Sequence, residues 1–364
     1  MPLLRPSTTR STATIAEKIR GEHPHRPCLQ RKQSTAIHCL ALLFGERFKL
    51  SKGAHLIRTR PQRSDLRQLP TEQILTAATN LDQMSSLEIV RLINDEDATV
   101  AAAVRRALPQ VARAIDVVAD GLRQGGRLIY VGAGTSGRLG ALDAAEIPPT
   151  FNTSPRTVQY IIAGGARALG ASTEASEDDT ALALKEIKKR KPGRHDIVLG
   201  IATSGRTPFT IAAVEYARRR GAHTIALTCN RNSPLERASD FAIVTEVGPE
   251  VLAGSSRMKA GTAHKMVLNM ISTGAMTRLG YVYGNLMVSV WTKNEKLIQR
   301  AIGIVEQATN VDHETAARAL KESGHRTAVA VVMLAAAVTR PKAAAALQKS
   351  KAHVRQAIAR ATSP

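Results

Sequence analysis

The alternation of apolar and amphipathic stretches is the feature of this chain that most restricts its fold. Short apolar stretches predict strands in "RLIYVGAG", "TVQYIIAGG", "DIVLGIATSG", "HTIALTC" and "FAIVTEV", and amphipathic helical patterns separate most of them. Strands that are apolar along their whole length are typical of parallel sheets that helices cover on both faces. The pattern therefore predicts an α/β fold with a three-layer helix–sheet–helix arrangement.

Helical patterns also lie on both sides of the predicted sheet. Upstream, "SSLEIVRLINDEDATVAAAVRRALPQVARAIDVVADGLRQGG" predicts helices, with Ser85 and Glu88 in the spacing of a capping box. After about residue 300 only helical patterns remain, which predicts a small bundle. We therefore expect three regions: a basic, disordered extension over residues 1–64, a sheet domain with amino-terminal helices over residues 65–300, and a helical domain over residues 301–364.

Positive charge is concentrated near the amino terminus. The 364 residues carry a formal net charge of +21, and nearly half of this excess lies in residues 1–70. This stretch is rich in Arg, Ser, Thr and Pro, which fits a disordered arm, a targeting segment or translation from too early a start. A basic arm suits nucleic acid, but aromatic residues make up only 3% of the chain. We expect no nucleic-acid partner, because a base-stacking surface needs such residues.

The cysteines and the lengths of the apolar runs favour a cytoplasmic protein. Cys28, Cys39 and Cys229 are odd in number and far apart. That excludes a disulfide framework and a thiolate zinc site, and it suits a reducing compartment. No apolar run approaches the ~18 residues of a spanning helix, so we expect no membrane partner. Asp178 and Asp179 have no second cluster of ligands, so we also expect no metal.

A glycine-rich turn follows the first predicted strand. Gly132, Gly134 and Gly137 fit the spacing G-x-G-x-x-G, which suggests a dinucleotide loop. Such folds place an acidic residue about 20 residues further on, and "RTVQYIIAGG" contains none. The chain also lacks the G-x-x-x-x-G-K-[ST] loop of nucleoside triphosphatases. The remaining expectation is a ligand with a phosphate and several hydroxyls, such as a sugar phosphate.

Two stretches share the order strand, Thr-Ser-Gly-Arg, helix. They are "VGAGTSGRLG" and "GIATSGRTPF", and "GSSR" adds a further hydroxyl pair before a long helix. Small hydroxyl residues at a helix amino terminus lie beside free backbone N–H groups, which bind phosphate. In an open α/β sheet these loops meet at the carboxyl edge of the strands. The predicted ligand-binding residues are Thr135, Ser136, Gly137, Thr203, Ser204, Gly205, Ser255 and Ser256.

Longer motifs resemble one family of the sugar isomerase (SIS) superfamily. "GAGTSGRLGALDAAEIPPTF", "EASEDD", "VGPEVLAGSSRMKAGTAHKMVLNMISTGAM" and "YGNLMV" resemble the N-acetylmuramic acid 6-phosphate etherases. The resemblance covers roughly residues 65–364. It implies a flavodoxin-like SIS domain over residues 65–300, a homodimer, and a reaction without cofactor or metal. It also implies cleavage of the D-lactyl ether to give N-acetylglucosamine 6-phosphate and D-lactate, as in amino-sugar metabolism and peptidoglycan recycling.

The implied chemistry is elimination followed by addition of water. It needs one ionised carboxylate to remove the C2 proton and one protonated carboxyl to release the lactyl oxygen. By resemblance, the two catalytic glutamates are Glu146 and Glu177, with Glu146 as the acid and Glu177 as the base. Pro148 and Pro149 are expected to end the helix that carries Glu146, placing this residue near the helix carboxyl terminus.

Two alternatives to the lyase remain open. One is a non-catalytic sugar-phosphate-binding regulatory protein of the same superfamily, and the other is an aldose–ketose isomerase. The presence of both Glu146 and Glu177 favours the lyase, since a sensor needs only the phosphate loops. The chain departs from the etherase pattern at His264, where glutamine is common, and at Leu75-Thr76, where Asn-Pro is usual.

Overall fold

The computed structural model describes residues 66–171, 174–292 and 294–363. At its centre lies a parallel five-stranded sheet in the order β2-β1-β3-β4-β5. This order is the flavodoxin-like arrangement, in which the chain direction across the sheet reverses between β1 and β3. The α/β prediction is therefore confirmed. The strands are β1 (Leu128–Gly132), β2 (Val158–Ile162), β3 (Ile197–Ile201), β4 (His223–Thr228) and β5 (Phe241–Val244).

Helices surround the sheet and continue beyond it. Those that precede or cover the sheet are α1 (Ser86–Ala98), α2 (Val100–Arg106), α3 (Leu108–Arg123), α4 (Gly134–Phe151), α5 (Thr180–Arg190), α6 (Pro208–Arg219), α7 (Pro234–Ala238) and α8 (Lys259–Arg278). The carboxyl-terminal helices are α9 (Glu295–Thr309), α10 (His313–Glu322), α11 (Thr327–Ala335), α12 (Arg340–Lys349) and α13 (Val354–Thr362). Short 3-10 turns include Pro70–Glu72, Thr76–Ala78, Gly165–Leu169 and Glu174–Glu177.

The central strands are buried on both faces because alternate side chains enter different cores. Leu128 and Tyr130 of β1 pack with residues of α2, α3, α4 and α8. Ile129 and Val131 of the same strand pack with residues of α5, α6 and α7. This period of two explains why the strands are uniformly apolar, since neither side of the sheet meets water.

The first helix, α1, begins with the capping box that the sequence predicts. The side chain of Ser85 accepts from the backbone N–H of Glu88, and the carboxylate of Glu88 accepts from the backbone N–H of Ser85. This reciprocal capping box satisfies two donors at the start of α1. The hydroxyl of Ser85 also donates to the carboxylate of Glu88 at 2.6 Å, and this bond, together with the backbone bond, lowers the pKa of Glu88.

The prolines in α4 do not end the helix where the sequence predicted. The helix continues through Pro148 and Pro149 to Phe151, and Asn152 caps it with a positive φ of 52°. Each proline removes one backbone donor. The extra turn is stabilised because Ile147, Pro148 and Phe151 are buried. The expectation that α4 stops at the prolines was therefore wrong.

The carboxyl-terminal helices have a hydrophobic core of their own, as the predicted bundle requires. This core draws on residues from Val288 to Ala361, including Ala301, Val305 and Val332. It begins before α9, and position 300 lies inside that helix. The division at 300 and 301 stays a prediction, and the predicted extension over residues 1–64 lies outside the described residues.

In the described ranges, no single helix has the length and apolar character needed to cross a membrane. The pair α11 and α12, bent by 108°, passes that test together by length and composition.

Candidate functional site

A cavity of about 350 Å³ opens at the carboxyl ends of β1 and β3. This position is the point where the strand order reverses, which is where open α/β sheets bind their ligands. Three loops and the 3-10 turn Pro70–Glu72 converge on it. The cavity is lined by Glu72, Ala133, Gly134, Thr135, Ser136, Arg138, Glu177, Ile201, Ala202, Thr203, Ser204, Thr207, Ser255, Ser256 and Arg257.

The first loop leads from β1 into the amino terminus of α4. Gly134 has a φ of +51°, and Thr135 and Ser136 follow it in the first turn. The cap residue Ala133 offers no side-chain acceptor. The loop therefore presents backbone donors and two hydroxyls to the cavity, and this arrangement suits an anion.

The glycine spacing in this loop serves close packing rather than a dinucleotide. A Cβ on Gly137 would lie 2.6 Å from Cγ1 of Ile162 and 2.8 Å from the oxygen of Gly132. The N–H of Gly137 donates to the oxygen of Ala133 at 3.1 Å. Gly137 thus lets α4 approach the sheet, and it is not among the residues that line the cavity.

The second loop follows β3, and hydrogen bonds from the end of β4 and the segment after it hold it in place. The carbonyl of Thr203 accepts from the N–H of Cys229 at 3.0 Å, the hydroxyl of Thr228 at 3.0 Å and the amide of Asn230 at 2.9 Å. Thr203 and Ser204 line the cavity and Gly205 does not. Gly205 has a φ of +65° and lies against Ser233, which explains why glycine is needed there.

The third loop carries Ser255 and Ser256 and leads into α8. Both serines line the cavity. The buried carboxylate of Glu250 accepts from the backbone N–H groups of Lys259 at 2.9 Å and Ala260 at 3.0 Å, and so caps α8. Burial raises the pKa of Glu250, and these two hydrogen bonds oppose the rise. The Nζ of Lys259 pairs with Glu96 instead of Glu250.

Glu177 lies in the cavity beside the first loop. It is the last residue of the turn Glu174–Glu177, two residues before Asp179, which caps α5 through the N–H of Leu182 at 2.8 Å. A Cβ built on Gly134 would lie 3.2 Å from Oε1 of Glu177. The glycine therefore makes room for this carboxylate next to the hydroxyls of Thr135 and Ser136.

Glu146 lies on the same helix as the first loop but far along it. Twelve residues separate it from Gly134, so it lies ~18 Å further along the axis of α4. Its side chain is exposed, and it is not among the residues that line the cavity. It lies more than one turn before the helix end at Phe151, where the effect of the helix dipole is weak. Within one chain, the structure does not bring Glu146 and Glu177 together.

Beside Glu146, the helix carries a buried carboxyl group that the sequence analysis did not single out. Asp143 accepts hydrogen bonds from the hydroxyl of Tyr130 at 2.8 Å, the amide of Asn269 at 2.7 Å and the hydroxyl of Ser272 at 3.0 Å. Burial raises the pKa of Asp143, and these hydrogen bonds oppose the rise. The group ties α4 to β1 and α8.

Arg138 lines the cavity but is held by the protein. Its Nε donates to the oxygen of Ala168 at 2.8 Å, and a terminal nitrogen donates to the oxygen of Ala171 at 2.9 Å. The side chain therefore fastens the turn Gly165–Leu169 to α4.

The sequence analysis did not single out the polar cavity residues Glu72, Thr207 and Arg257. The backbone N–H of Glu72 donates to the oxygen of Leu69, and the neighbouring Thr71 is buried and bonded to Asn230 at 3.0 Å. These contacts hold Glu72 at the site, whereas Leu75-Thr76 is not among the lining residues. Arg257 follows the predicted hydroxyl pair directly, and that adjacency was the available signal.

His264 is completely buried in α8, and only one of its two ring nitrogens has a hydrogen-bond partner. Its Nε2 lies 3.5 Å from the sulfur of Cys229, and its Nδ1 has no hydrogen-bond partner. Burial lowers the pKa of His264 to about 4, so the ring is neutral near pH 7. Burial also raises the pKa of Cys229 to about 12, which makes this thiol unreactive.

Within the described residues, no group of three or more His, Cys, Asp or Glu side chains is arranged to hold a metal ion. The chemistry available in the cavity is that of hydroxyls, backbone donors and carboxylates, with two guanidinium groups.

Family models match the sheet region. One, described as "Glucokinase regulatory protein N-terminal SIS domain", matches residues 110–218, and another, "SIS domain", matches residues 175–273. Among solved structures, a phosphoheptose isomerase from Francisella tularensis is 20% identical with a TM-score of 0.41. The match covers 53% of this chain and 100% of that chain.

Several curated relatives match this chain over nearly their whole length, and they carry the same name. The N-acetylmuramic acid 6-phosphate etherase of Symbiobacterium thermophilum is 55% identical over 75% of this chain and 91% of the relative. That of Streptomyces avermitilis is 49% identical over 83% and 97%. That of Clostridium beijerinckii is 46% identical over 81% and 97%. With this identity, this coverage and an SIS fold, the chain belongs to the N-acetylmuramic acid 6-phosphate etherase family.

Proposed function

We propose that this protein cleaves the D-lactyl ether of N-acetylmuramic acid 6-phosphate, giving N-acetylglucosamine 6-phosphate and D-lactate. The single observation that carries the proposal is the presence of Glu177 in a hydroxyl-lined cavity at the strand switch point. The names of the curated relatives support the same reaction. We also propose a cytoplasmic location, which the wide spacing of the cysteines favours.

The phosphate binds among the hydroxyls at the amino terminus of α4. Thr135 and Ser136 come from the first loop, and Thr203 and Ser204 come from the second. Donors and the positive end of the helix dipole stabilise a phosphate at such a position. Ser255 and Ser256 hydrogen-bond to the hydroxyls of the opened sugar.

Glu177 removes the proton from C2 of the ring-opened sugar. The aldehyde at C1 makes this proton acidic, and the electron pair of the C2–H bond forms a C2–C3 double bond. The C3–O bond breaks, and the lactyl oxygen takes its electron pair and a proton from a carboxyl group. Glu177 then releases the C2 proton to solvent and is ionised again. Water adds at C3 with Glu177 taking up one proton of the water, and C2 takes a proton from solvent, which yields the amino sugar phosphate. Exchange with solvent returns a proton to the donor carboxyl group and removes one from Glu177. Each positioned proton transfer contributes ~10²–10⁴-fold to the rate.

The second carboxyl group, Glu146, reaches the site from a second subunit. Its exposed position, ~18 Å along α4 from the first loop, prevents it from acting on the cavity of its own chain. In a twofold dimer the same surface of both chains meets. When that surface includes Glu146 and the rim of the cavity, Glu146 of one chain faces the partner's cavity, and the reverse holds equally. We therefore propose a homodimer with two composite sites.

The test is release of D-lactate from N-acetylmuramic acid 6-phosphate by purified protein. Glu177→Gln should lower kcat ~10²–10⁴-fold, because the amide cannot accept the C2 proton, while binding of N-acetylglucosamine 6-phosphate persists. Glu186→Gln is the matched control, since the carboxylate of Glu186 pairs with Lys189 on the surface of α5. Unchanged turnover in Glu177→Gln would remove that residue from the reaction.

The same measurement separates the alternatives. A regulatory protein of the kind named by one family model would bind sugar phosphates without releasing lactate. An aldose–ketose isomerase would exchange the C2 proton and form a ketose without breaking an ether. Wild-type protein that binds the substrate but releases no lactate would overturn the lyase.

A further inference from the structure

We propose that Arg257 binds the carboxylate of the lactyl group, and that it determines specificity for the lactyl ether over unsubstituted N-acetylglucosamine 6-phosphate. This proposal rests on the proposed function, because the lactyl group is what the reaction removes. It names a specificity-determining residue besides the hydroxyl residues of the three loops and the catalytic glutamates Glu146 and Glu177.

Among the charged side chains that line the cavity, one cation is available to bind a second anion. Two glutamates, Glu72 and Glu177, and two arginines, Arg138 and Arg257, line it. Two N–H donors of Arg138 bind the carbonyls of Ala168 and Ala171, and these bonds hold its guanidinium against the turn Gly165–Leu169. Arg257 is exposed and forms no hydrogen bond or ion pair within the part of the chain that the structure describes.

The substrate carries two anionic groups at different positions. Its phosphate is on C6, and its lactyl carboxylate is attached through the ether at C3. The hydroxyl loops and the amino terminus of α4 suffice for the phosphate. A carboxylate is best matched by a guanidinium group, whose paired N–H donors fit its two oxygens.

Arg257 lies on the side of the cavity where a second anion would meet the negative charge of Glu72. Arg257 follows the loop that contains Gly254, and a Cβ on Gly254 would lie 3.2 Å from Oε2 of Glu72. The carboxylate of Glu72 therefore contributes negative charge to this side of the cavity. An anionic lactyl group entering here would be repelled unless a cation stood beside it, and Arg257 supplies that charge.

Arg257→Met tests the proposal through two ligands. Loss of a hydrogen-bonded charge pair costs about 1.5–3 kcal/mol, so KM for N-acetylmuramic acid 6-phosphate should rise ~10–100-fold. The Kd for N-acetylglucosamine 6-phosphate, which has the phosphate but no lactyl group, should stay at the wild-type value. Arg257→Lys should recover part of the loss, because the charge remains but the paired donors do not.

A substrate analogue with a lactamide in place of the lactate carboxylate completes the test. It should bind wild type and Arg257→Met equally, since the charge that Arg257 recognises is gone. Arg360→Met on α13 is the control for loss of an exposed arginine outside the cavity, and its KM should match wild type. Thermal denaturation of each variant verifies that it is folded.

Other outcomes overturn the proposal in distinguishable ways. An equal loss of affinity for both sugar phosphates would assign Arg257 to the phosphate, and no loss for either would leave it a solvated side chain. The proposed function fails separately, if wild-type protein releases no lactate. Binding of the two ligands would still be measurable in that case.

Discussion

At the residue scale, the hydroxyl residues and the glycines of the first two loops have different roles in the site. Thr135, Ser136, Thr203 and Ser204 line the cavity because each pair follows a strand directly, and that is visible in the chain. The glycine of each loop has a different role. Gly137 lets α4 approach β1 and β2, Gly205 leaves room for the side chain of Ser233, and both stay outside the cavity lining.

His264 supplies a pH-dependent term in stability. Burial lowers its folded-state pKa from 6.5 to about 4, so the unfolded chain binds more protons between these values. Stability from this group is therefore fully present above pH 6.5 and is lost progressively as the pH falls towards 4. The loss amounts to ~3 kcal/mol at its limit. Urea denaturation at several pH values measures it.

His264→Gln provides the matched comparison, because glutamine does not titrate and is common in the etherase pattern. The variant should lose the part of the pH dependence that falls between 6.5 and 4. A wild-type and a variant protein with parallel stability curves across this range would contradict the assignment.

At the element scale, the approach of α4 to the sheet decides where the first loop lies. Glycine at 137 brings the helix against Gly132 and Ile162, and the loop residues then face the cavity. At the other side of the site, Glu250 caps α8 by accepting from two backbone N–H groups, and it is buried while doing so. A side chain thus sets the start of the helix that follows Ser255 and Ser256.

Gly137→Ala should destabilise the protein and displace the first loop. The added methyl would lie 2.6 Å from Ile162 and 2.8 Å from a backbone oxygen that cannot rotate away. Overpacking of this kind costs about 1–3 kcal/mol, and it should also raise KM because Thr135 and Ser136 move. Thermal or urea denaturation and lactate release measure the two effects.

Gly170→Ala is the control for this substitution. Its Cβ would meet nothing within 4 Å, and its φ of −110° suits any residue. An equal effect of both substitutions would show that tight packing of α4 is not the cause.

At the scale of the whole molecule, the described part of the chain has one hydrophobic core on each face of the sheet and a third core among the carboxyl-terminal helices. Within one chain, Glu177 lies beside Gly134 at the amino terminus of α4, and Glu146 lies ~18 Å further along that helix. The proposed activity is therefore a property of the assembly, and a mixing experiment tests it.

Co-expression of Glu146→Gln and Glu177→Gln should restore activity that neither variant has alone. Random assortment makes half of the dimers mixed, and one of the two sites in each mixed dimer is intact. This predicts about a quarter of wild-type turnover. If both glutamates acted within one chain, no activity would return. The measurement is kcat for lactate release by the purified mixture.

A second mixture controls for the stoichiometry. Wild type co-expressed with a chain carrying both substitutions should give about a quarter of full activity when the sites are composite, and about a half when each site lies within one chain. Size-exclusion chromatography with light scattering would verify that the mixed species are dimers. Monomers would exclude the composite site.

Much of this protein was determined by its sequence alone. The alternation of strands and helices, the capping box at Ser85, the carboxyl-terminal bundle and the hydroxyl loops depend on residues near one another in the chain. Local periodicity and turn chemistry are encoded at that range. The family resemblance followed from contiguous motifs for the same reason.

Tertiary structure decided the rest. Burial of Ile147 and Phe151 stabilises the part of α4 that continues beyond its prolines. The local sequence does not show which of these side chains will be buried. Glu72 and Arg257 meet in one cavity although 185 positions separate them, because the packing of the amino-terminal turn against Asn230 sets their distance. The separation of Glu146 from Glu177 depends equally on α4, which carries Glu146 away from the loop beside Glu177. Contacts between remote segments arise only when the whole chain packs, so a sequence pattern does not display them.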